Sequence, residues 1–400
     1  MNAIKPQLKN WQRMKFKDFA NISPSVKLKK GKFYSFIPME VLDGKTRFPL
    51  EIKKKKFSCG GAKFINGDTI FARITPCLEN GKIAQVKNLE DNIGFGSTEF
   101  FVFRNKNGIS NSNFLYYLSK TGIICDPAEK SMFGASGRQR ADKKVIENIE
   151  ILVPTLKEQK KIADILSVYD NLIEVNNKKI KNLEEMAQAI YNEWFVKFKF
   201  PNYEKTKFEN RIPEGWEKKR IQNIIKNVKI KYINSEHKNL PLLDLKRIPR
   251  KSLMINDYGL SSEIKTARKI FDKYDILFGN IRTYFHKVIF AVKPGITNSS
   301  VFVFRGKKSI YQNFFFNYFF SEDIVSWAIQ NSGGTKMPVI GWNVFKVKKI
   351  LLPTEDIIKE FNYIIQPMAD NIINLNLQNE KLRETRDSLL PKLISGEIKI

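Results

Sequence analysis

Histidine and cysteine are scarce in this sequence, and their scarcity excludes several kinds of site. His237 and His286 lie far apart, and Cys59, Cys77 and Cys125 are odd in number and widely spaced. This pattern indicates neither a disulfide framework nor a zinc motif, and it offers no Ser-His-Asp or Cys-His catalytic arrangement. We therefore expect a reduced, metal-free protein that binds no cofactor.

Long apolar segments and nucleotide-binding motifs are also missing. The first eleven residues lack the apolar core of a signal peptide, and no apolar run approaches the length of a membrane span. There is no Gly-x-x-x-x-Gly-Lys-(Ser/Thr) loop, no Gly-x-Gly-x-x-Gly loop after a strand, and no Asn-Pro-Pro-aromatic stretch of the adenine methyltransferase type. We expect a cytoplasmic protein without its own ATP or methyl-donor site.

Acidic residues are greatly outnumbered. The 400 residues include 41 Asp and Glu against 69 Lys and Arg, which gives a formal net charge of +28. A charge of this size implies a polyanionic partner, with nucleic acid first and an anionic membrane surface second. The length allows two or three domains with their own cores.

Internal repetition is what the sequence has in abundance. The segment ILVPT at residues 151–155 is repeated as ILLPT at 350–354. Each copy begins a long stretch in which apolar residues have heptad-like spacing. Pro followed by Thr suits a helix start, because Pro needs no backbone donor there and Thr caps the first turn. Each stretch predicts a helix of about 60 Å.

The segments before these two helices repeat as well. Residues 64–73 and 273–282 predict a turn and a strand, 100–104 and 301–305 a strand, 113–119 and 314–321 a short helix, and 134–140 and 333–336 a glycine-rich loop. Lys53–Lys56 is interpreted as a solvated loop. We predict an α+β fold with an internal pseudo-two-fold repeat: globular modules at 1–153 and 201–352, and helical spacers at 154–200 and 353–400.

The two helices are predicted to form an antiparallel coiled coil within one chain. Asn176 and Asn379 interrupt the apolar stripes near their midpoints, and a buried Asn fixes register. If these two residues face each other, Tyr169 meets Arg386, whose stem the ring can cover. All other layers are apolar: Leu166 with Leu389, Ile173 with Leu382, Ile180 with Leu375, Leu183 with Ile372, and Ile190 with Ile365.

Basic and polar loops are the candidate nucleic-acid contacts. Arg suits guanine edges or phosphates, and Gln suits adenine edges. The alternative for each position is a solvated surface turn. The candidates are Arg73, Thr75, Lys82, Ser97, Thr98, Arg138, Gln139, Arg140, Arg282, Tyr284, His286, Lys287, Asn298, Ser299, Thr335 and Lys336.

The order module, helix, module, helix closely resembles the DNA specificity (S) subunit of type I restriction–modification systems, over essentially the whole chain. The motifs that carry the resemblance are VPTLKEQ at 153–159, LPKLISGE at 390–397 and GDTIFAR at 67–73. The second copy departs from the family pattern with Tyr274 in place of the glycine and Asn280 in place of the arginine. It also lacks the usual Glu-Gln pair after Pro353.

The resemblance implies a non-catalytic subunit. In that family two target-recognition domains each read one half of a split, asymmetric DNA sequence. The helices set the gap between the halves and dock two methyltransferase subunits, and restriction subunits join some complexes.

Two alternatives remain open at this stage. One is a basic coiled-coil DNA-binding scaffold that does not read sequence. The other is a nuclease or methyltransferase that acts by itself, for which the Glu-x-Lys triplets at 51–53 and 397–399 are a weak signal in a chain so rich in Glu and Lys.

Overall fold

The chain divides into two compact units. A computed structural model describes residues 10–135, 137–233, 239–263 and 268–400. Unit 1 contains residues up to Glu174 together with Lys381–Ile400, and unit 2 is the continuous segment Val175–Glu380. In the described part of the chain, no helix combines the length and the apolarity that crossing a membrane requires.

The described residues of unit 1 form ten strands and four short α-helices, besides parts of two long helices. The strands are β1 (Gln12–Lys15), β2 (Ala20–Ile22), β3 (Phe33–Ile37), β4 (Lys53–Lys56), β5 (Ala62–Ile65), β6 (Thr69–Ala72), β7 (Ile83–Gln85), β8 (Ile93–Gly96), β9 (Phe100–Asn105) and β10 (Glu150–Val153). The short helices are α1 (Phe16–Phe19), α2 (Ser112–Ser119), α3 (Gly122–Lys130) and α4 (Lys143–Glu147).

The strands described in unit 1 form three sheets: a central sheet in the order β2-β9-β6-β7, a second sheet in the order β4-β3-β8-β5, and the pair β1-β10. The central strand β9 is apolar without alternation because both of its faces are covered. Phe101 and Phe103 pack with helix residues such as Phe114, whereas Phe100 and Val102 pack with Ile37 and other residues of the second sheet.

The prediction of a loop at Lys53–Lys56 was wrong, because these lysines form the edge strand β4, paired with β3. All four side chains are exposed, as the sequence suggested. Exposed lysines are a common way to protect a sheet edge from pairing with other chains.

The described residues of unit 2 repeat this plan, with two strands in the second sheet where unit 1 has four. Its strands are β11 (Phe208–Glu209), β12 (Ile212–Pro213), β13 (Glu217–Arg220), β14 (Ile225–Asn227), β15 (Arg268–Phe271), β16 (Ile276–Gly279), β17 (Val288–Phe290), β18 (Gly295–Asn298), β19 (Val301–Gly306) and β20 (Lys349–Leu352). The central sheet has the order β14-β19-β16-β17, beside the pairs β15-β18 and β13-β20. The short helices are α6 (Ile221–Ile224), α7 (Gln312–Phe320), α8 (Glu322–Gln330) and α9 (Trp342–Val347).

Two long helices complete the chain. Helix α5 (Leu156–Tyr191) contributes residues up to Glu174 to unit 1, and α10 (Glu355–Ile394) contributes its end from Lys381. A capping box starts α5: the Glu158 carboxylate accepts hydrogen bonds from the Thr155 N–H (3.0 Å) and hydroxyl (2.8 Å). The helix stops before the predicted limit near Phe198, because a π-helical turn, Asn192–Val196, follows it. The predicted α+β class with two long helices is confirmed.

Candidate nucleic-acid interface

In unit 1, two segments that are distant in sequence meet at one end of the central sheet. The loop after β6 is bound to the hairpin before α4 by hydrogen bonds from the Thr75 N–H to the Gln139 carbonyl (3.0 Å) and from the Ala141 N–H to the Arg73 carbonyl (2.8 Å). The hairpin is closed by the reciprocal backbone pair Phe133 and Arg140. Candidate residues from both segments therefore share one surface.

An ion pair fixes the base of this hairpin. The Arg140 guanidinium donates to both oxygens of Glu99, at 2.7 and 2.9 Å for the shorter bond to each. The hydrogen bond from Arg140 lowers the pKa of Glu99 below its ordinary value. Arg73 lies beside them, with Nε 3.9 Å from Glu99 and its guanidinium carbon 4.8 Å from the Phe101 ring centre. These two arginines are thus held by the fold, whereas Arg138 is exposed and its side chain has no partner among the described residues.

The remaining unit 1 candidates divide in the same way. Lys82 donates to the Met39 carbonyl (2.9 Å), and the Thr75 hydroxyl accepts from the Gln139 N–H (3.0 Å). The Ser97 hydroxyl accepts from the Glu99 N–H (3.2 Å), while Thr98 is exposed. Thr98 and Arg138 are therefore the freest of the predicted residues in this unit.

Unit 2 builds the corresponding surface from the loop after β16 and the hairpin before α9. The Arg282 N–H donates to the Pro338 carbonyl (2.8 Å), and the Ile340 N–H donates to the Asn280 carbonyl (2.9 Å). The hairpin is closed by two bonds of 2.9 Å between Gly333 and Val339. Thr335 and Lys336 at its tip are exposed.

His286 and Lys287 lie in this loop but are turned into unit 2. His286 Nε2 lies 2.9 Å from the Phe320 carbonyl oxygen, and burial lowers the pKa of His286 below its ordinary value. Lys287 donates to the carbonyls of Leu245 and Lys246, and burial lowers its pKa to about 8. Arg282 and His286 both adopt left-handed backbone angles, which aim the intervening Tyr284 outward with half of its surface exposed.

Two further unit 2 candidates follow β18. The Asn298 side chain accepts a hydrogen bond from the Ser300 N–H (3.0 Å), and this bond forms the turn between β18 and β19. Ser299 is exposed at the tip of that turn. His237 and Ser136 lie outside the described residues.

The coiled-coil register agrees with the sequence. Asn176 donates to Asn379 (3.0 Å), and the Trp194 and Phe361 rings lie 5.8 Å apart, so the helices are antiparallel. Six seam residues are no more than 5% exposed, namely Leu166, Ile173, Ile180, Ile365, Ile372 and Leu375. The other four, Leu183, Ile190, Leu382 and Leu389, are half-buried.

The seam also contains an ion pair that was not predicted. The Arg386 guanidinium pairs with the carboxylate of Asp170, and the two side chains are 6% and 2% exposed. The Tyr117 hydroxyl also donates to Asp170 (2.6 Å). A buried guanidinium needs an anion more than it needs an aromatic surface.

Sequence reasoning also missed the helix residues that anchor unit 2. The Glu184 carboxylate accepts the Leu253 N–H, and the Asn376 side chain accepts the Ile255 N–H (2.8 Å) and donates to the Leu253 carbonyl (3.0 Å). Burial raises the pKa of Glu184 to about 7. Their only mark in the sequence is a charged or amide side chain at a helix position next to the apolar heptad positions.

A repeated aspartate supports the central sheet in both units. Asp68 receives two hydrogen bonds from Arg104, at 2.8 and 2.7 Å, and Asp275 receives two from Arg305, both 2.6 Å. Each aspartate also accepts a backbone N–H in its own turn, from Ile65 or Asp272, at 2.8 Å. The Gly-Asp motif at residues 67–68 is therefore structural: it joins two strands of the sheet that carries the loops.

Metal-binding geometry is not found in the described part of the chain. No three His, Cys, Asp or Glu side chains there are grouped so that they could hold a metal ion. Cys59, Cys77 and Cys125 are free thiols.

The fold is similar to that of a known S subunit. A crystal structure of the type I restriction–modification S subunit from M. genitalium matches with a TM-score of 0.52 and 16% identity, and the match covers 98% of this chain and 99% of that one. At this identity the likeness shows the fold alone.

Sequence comparisons show similarity to type I specificity subunits. Residues 8–185 match the type I restriction modification DNA specificity domain. The MjaIX specificity subunit of Methanocaldococcus jannaschii is 27% identical over 98% of this chain and 94% of its own length. The EcoAI specificity subunit of Escherichia coli is 34% identical over 40% of this chain and 29% of its own length. Residues 8–185 therefore match the specificity-domain family, and the resemblance of the whole chain to type I specificity subunits is confirmed.

Proposed function

We propose that this chain is the DNA-reading subunit of a type I restriction–modification complex, in which each unit reads one half of a split, asymmetric DNA sequence. The observation that carries the proposal is the duplication of one architecture with unequal loops. Both units have the same central sheet order, the same Asp–Arg pair and the same hairpin joined to the same loop. Two related but unequal readers suit a sequence with two unequal halves.

The charge supports a nucleic-acid partner. The chain carries a net charge of +28, and Thr98, Arg138, Ser299, Thr335 and Lys336 are exposed on the paired loops and turns. Lysines and arginines that contact phosphates release counterions, so affinity should fall steeply with salt. Base contacts from the same surface supply the sequence preference.

The helices are proposed to bind two methyltransferase subunits, which carry out adenine methylation. The chain itself is then non-catalytic, and DNA cleavage belongs to restriction subunits in complexes that contain them. The exposed sides of α5 and α10 support this role, because their seam sides are already occupied within the chain.

Mapping methylated adenines tests the proposal. Cells that express the chain with its modification subunit should show methylation at one split sequence with a fixed gap, and cells without the chain should show none. Methylation at the same sites without the chain would contradict the proposal. Purified chain that consumes the methyl donor or cuts DNA would establish a stand-alone enzyme, and equal affinity for all DNA would establish a scaffold.

A second experiment tests the spacer role of the helices. One heptad is added to each helix, just after Asn176 and just before Asn379, which lengthens the coiled coil by about 10 Å and keeps the seam in register. The preferred gap between the half-sites should grow by about three base pairs, because B-DNA rises ~3.4 Å per pair. Selection from a library with a randomised gap measures it. An unchanged gap in a variant that folds and binds would exclude the helices as the spacer.

A further inference from the structure

The two hairpins can be compared position by position through their backbone bonds. Ala141 bonds to Arg73 as Ile340 bonds to Asn280, and Thr75 bonds to Gln139 as Arg282 bonds to Pro338. The segment 138–140 of unit 1 thus corresponds to 337–339 of unit 2. This correspondence rests on hydrogen bonds and not on sequence similarity, of which the two tips have almost none.

The side chains at these positions differ in kind. Unit 1 has Arg-Gln-Arg, and unit 2 has Met-Pro-Val. The residues that support the hairpin differ as well. The Arg73 N–H donates to the Glu99 carbonyl (3.0 Å) as the Asn280 N–H donates to the Ser300 carbonyl (3.0 Å). Asn280 and Ser300 therefore stand where unit 1 has Arg73 and Glu99. Every charge of the unit 1 cluster is therefore absent from the corresponding positions.

The unit 2 tip exposes apolar surface. Met337 is 52% exposed and Val339 is 40% exposed. Adjacent exposed apolar side chains offer a surface for an apolar contact. The described residues of unit 2 leave both side chains open to solvent.

Cations adjoin this tip in sequence and lie beside the loop to which the hairpin is bonded. Lys336 precedes Met337 and is exposed, and Lys246 and Arg250 are exposed beside the loop at 282–287. The Arg250 guanidinium lies 3.9 Å from the Phe285 ring centre, and Lys287 is bonded to the Lys246 carbonyl (3.3 Å). An apolar contact bordered by positive charge is complementary to DNA, because the thymine C5 methyl group is an apolar feature of the major groove that lies between phosphates.

We propose that Met337, with Val339 beside it, contacts a thymine methyl group, so that unit 2 reads its half-site by shape and apolar contact where unit 1 offers Arg138 to a guanine edge. This inference rests on the proposed function and names the chemistry of one of its two readers. Met337 is the specificity-determining residue of the contact.

Methyl removal from the DNA tests the inference. The chain is assembled with its modification subunits and bound to its mapped duplex, and each thymine in turn is replaced by deoxyuridine, which lacks only the C5 methyl group. One replacement in the half-site of unit 2 should raise Kd about fourfold, the factor expected for one methyl group returned to water. Met337→Ala should bring the ratio of the two Kd values at that position to about one.

Three variants make the result specific. Met337→Leu should keep most of the thymine preference. Lys336→Ala should weaken binding to both duplexes equally. Arg138→Ala should leave the thymine preference unchanged and alter only the other half-site.

Three results would overturn the inference: no thymine whose methyl group matters, a thymine preference that survives Met337→Ala, or loss of the modification subunits from the Met337→Ala variant with the preference intact. The last would assign the tip to a protein contact. Equal binding of the complex to every duplex would instead overturn the proposed function together with this inference.

Discussion

The two units hold the same sheet on the same pair of helices by different chemistry. Unit 1 uses charge: Arg47 donates to Ser167 (2.7 Å), and Arg386 pairs with Asp170. Unit 2 relies more on amides: Asn313 donates to Asn362 (3.1 Å) and Gln366 (2.9 Å), and Gln188 donates to Asn317 (2.8 Å), beside one ion pair between Lys293 and Glu380 (2.6 Å). The sheet order is constrained by its hydrogen-bonded ladder, whereas an anchor only has to satisfy the polar groups that it buries. The anchors have therefore diverged more than the sheets.

One hydrogen bond between a long helix and its sheet module is found in both units, but it comes from a different turn of the helix in each. In unit 1 the buried Gln159, in the first turn of α5, donates to the Ile109 carbonyl (3.0 Å). In unit 2 the corresponding carbonyl, that of Ile310, is bonded by Asn362, one turn further along its helix. The backbone carbonyl needs a hydrogen-bond donor, and an amide side chain in either the first or the second turn of the helix can supply it.

The largest effect is expected from breaking the charged anchor. Arg386→Met leaves the Asp170 carboxylate buried without its cation, and we expect unit 1 to lose about 3 to 5 kcal/mol of unfolding free energy. Hydrogen exchange of α2 and of the α5 segment before Glu174 measures the loss. The double variant Asp170→Leu with Arg386→Met should recover most of it. A single variant as stable as the wild type would show that the pair is not a charged anchor.

In unit 2, Glu184 is expected to make stability depend on pH between about 4.5 and 7. Burial raises the pKa of Glu184 to about 7, from an ordinary value of 4.5. The folded state therefore binds the proton more tightly, and stability from this group is complete below pH 4.5 and is lost as pH rises towards 7. The expected loss is about 3 kcal/mol.

Glu184→Gln should remove this pH dependence, because an amide does not ionise. The hydrogen bond is kept, since the amide oxygen still accepts the Leu253 N–H. The pH dependence is measured by unfolding the chain in urea at pH 5 and at pH 8, with hydrogen exchange as the readout for unit 2. Glu360→Gln, at an exposed position of α10, is the matched control and should leave the dependence as it is. The same dependence in wild type and Glu184→Gln would contradict the assignment.

The repeated Asp–Arg pair allows a sharper comparison. Asp68→Ala should destabilise unit 1 by about 3 kcal/mol, since Arg104 loses two charged hydrogen bonds. Asp275→Ala should cost unit 2 less, about 2 kcal/mol, because Arg305 keeps its 2.6 Å bond to Asp272. Hydrogen exchange of β9 and β19 reports the two losses. Equal losses would show that Asp272 contributes nothing.

The smallest effect concerns the departure at Tyr274. This residue has a left-handed backbone (φ 70°) where unit 1 has Gly67 (φ 91°), and its hydroxyl bonds to Asp370 while its carbonyl accepts from Gln312 (2.8 Å). The anchoring bond offsets the backbone strain of a non-glycine residue there. Tyr274→Phe should cost about 1 kcal/mol. Urea unfolding measures it, and Tyr363→Phe, on an exposed side of α10, should change nothing.

The sequence predicted the repeat, the strands of the central sheets and the seam register, because each is encoded in local periodicity. The Asn176–Asn379 pair was predictable for a similar reason: a polar residue in an apolar stripe needs a partner of its own kind. The strand at Lys53–Lys56 was missed because four charged residues show no alternation of apolar and polar positions. An edge strand can nevertheless be solvated on both faces.

The candidate site was less predictable than the fold. The orientations of His286 and Lys287 depend on two left-handed residues, Arg282 and His286, which no local pattern marks. The roles of Glu184 and Asn376 depend on backbone atoms at 253–255, in a segment without regular structure. Interactions whose partner is an irregular backbone leave no periodic signal in the sequence.

The division of the chain has a consequence for its synthesis. Unit 2 is one continuous segment, but the core of unit 1 contains Leu390, Leu393 and Ile394 packed with residues such as Phe16 and Leu166. Domains usually complete their folding in the order in which they leave the ribosome. Here we expect the reverse order: unit 1, most of which is translated before unit 2, keeps an open core until the segment from Lys381 onward has been made. Chaperones that shield nascent chains should therefore hold the N-terminal module for longer than the one that follows it.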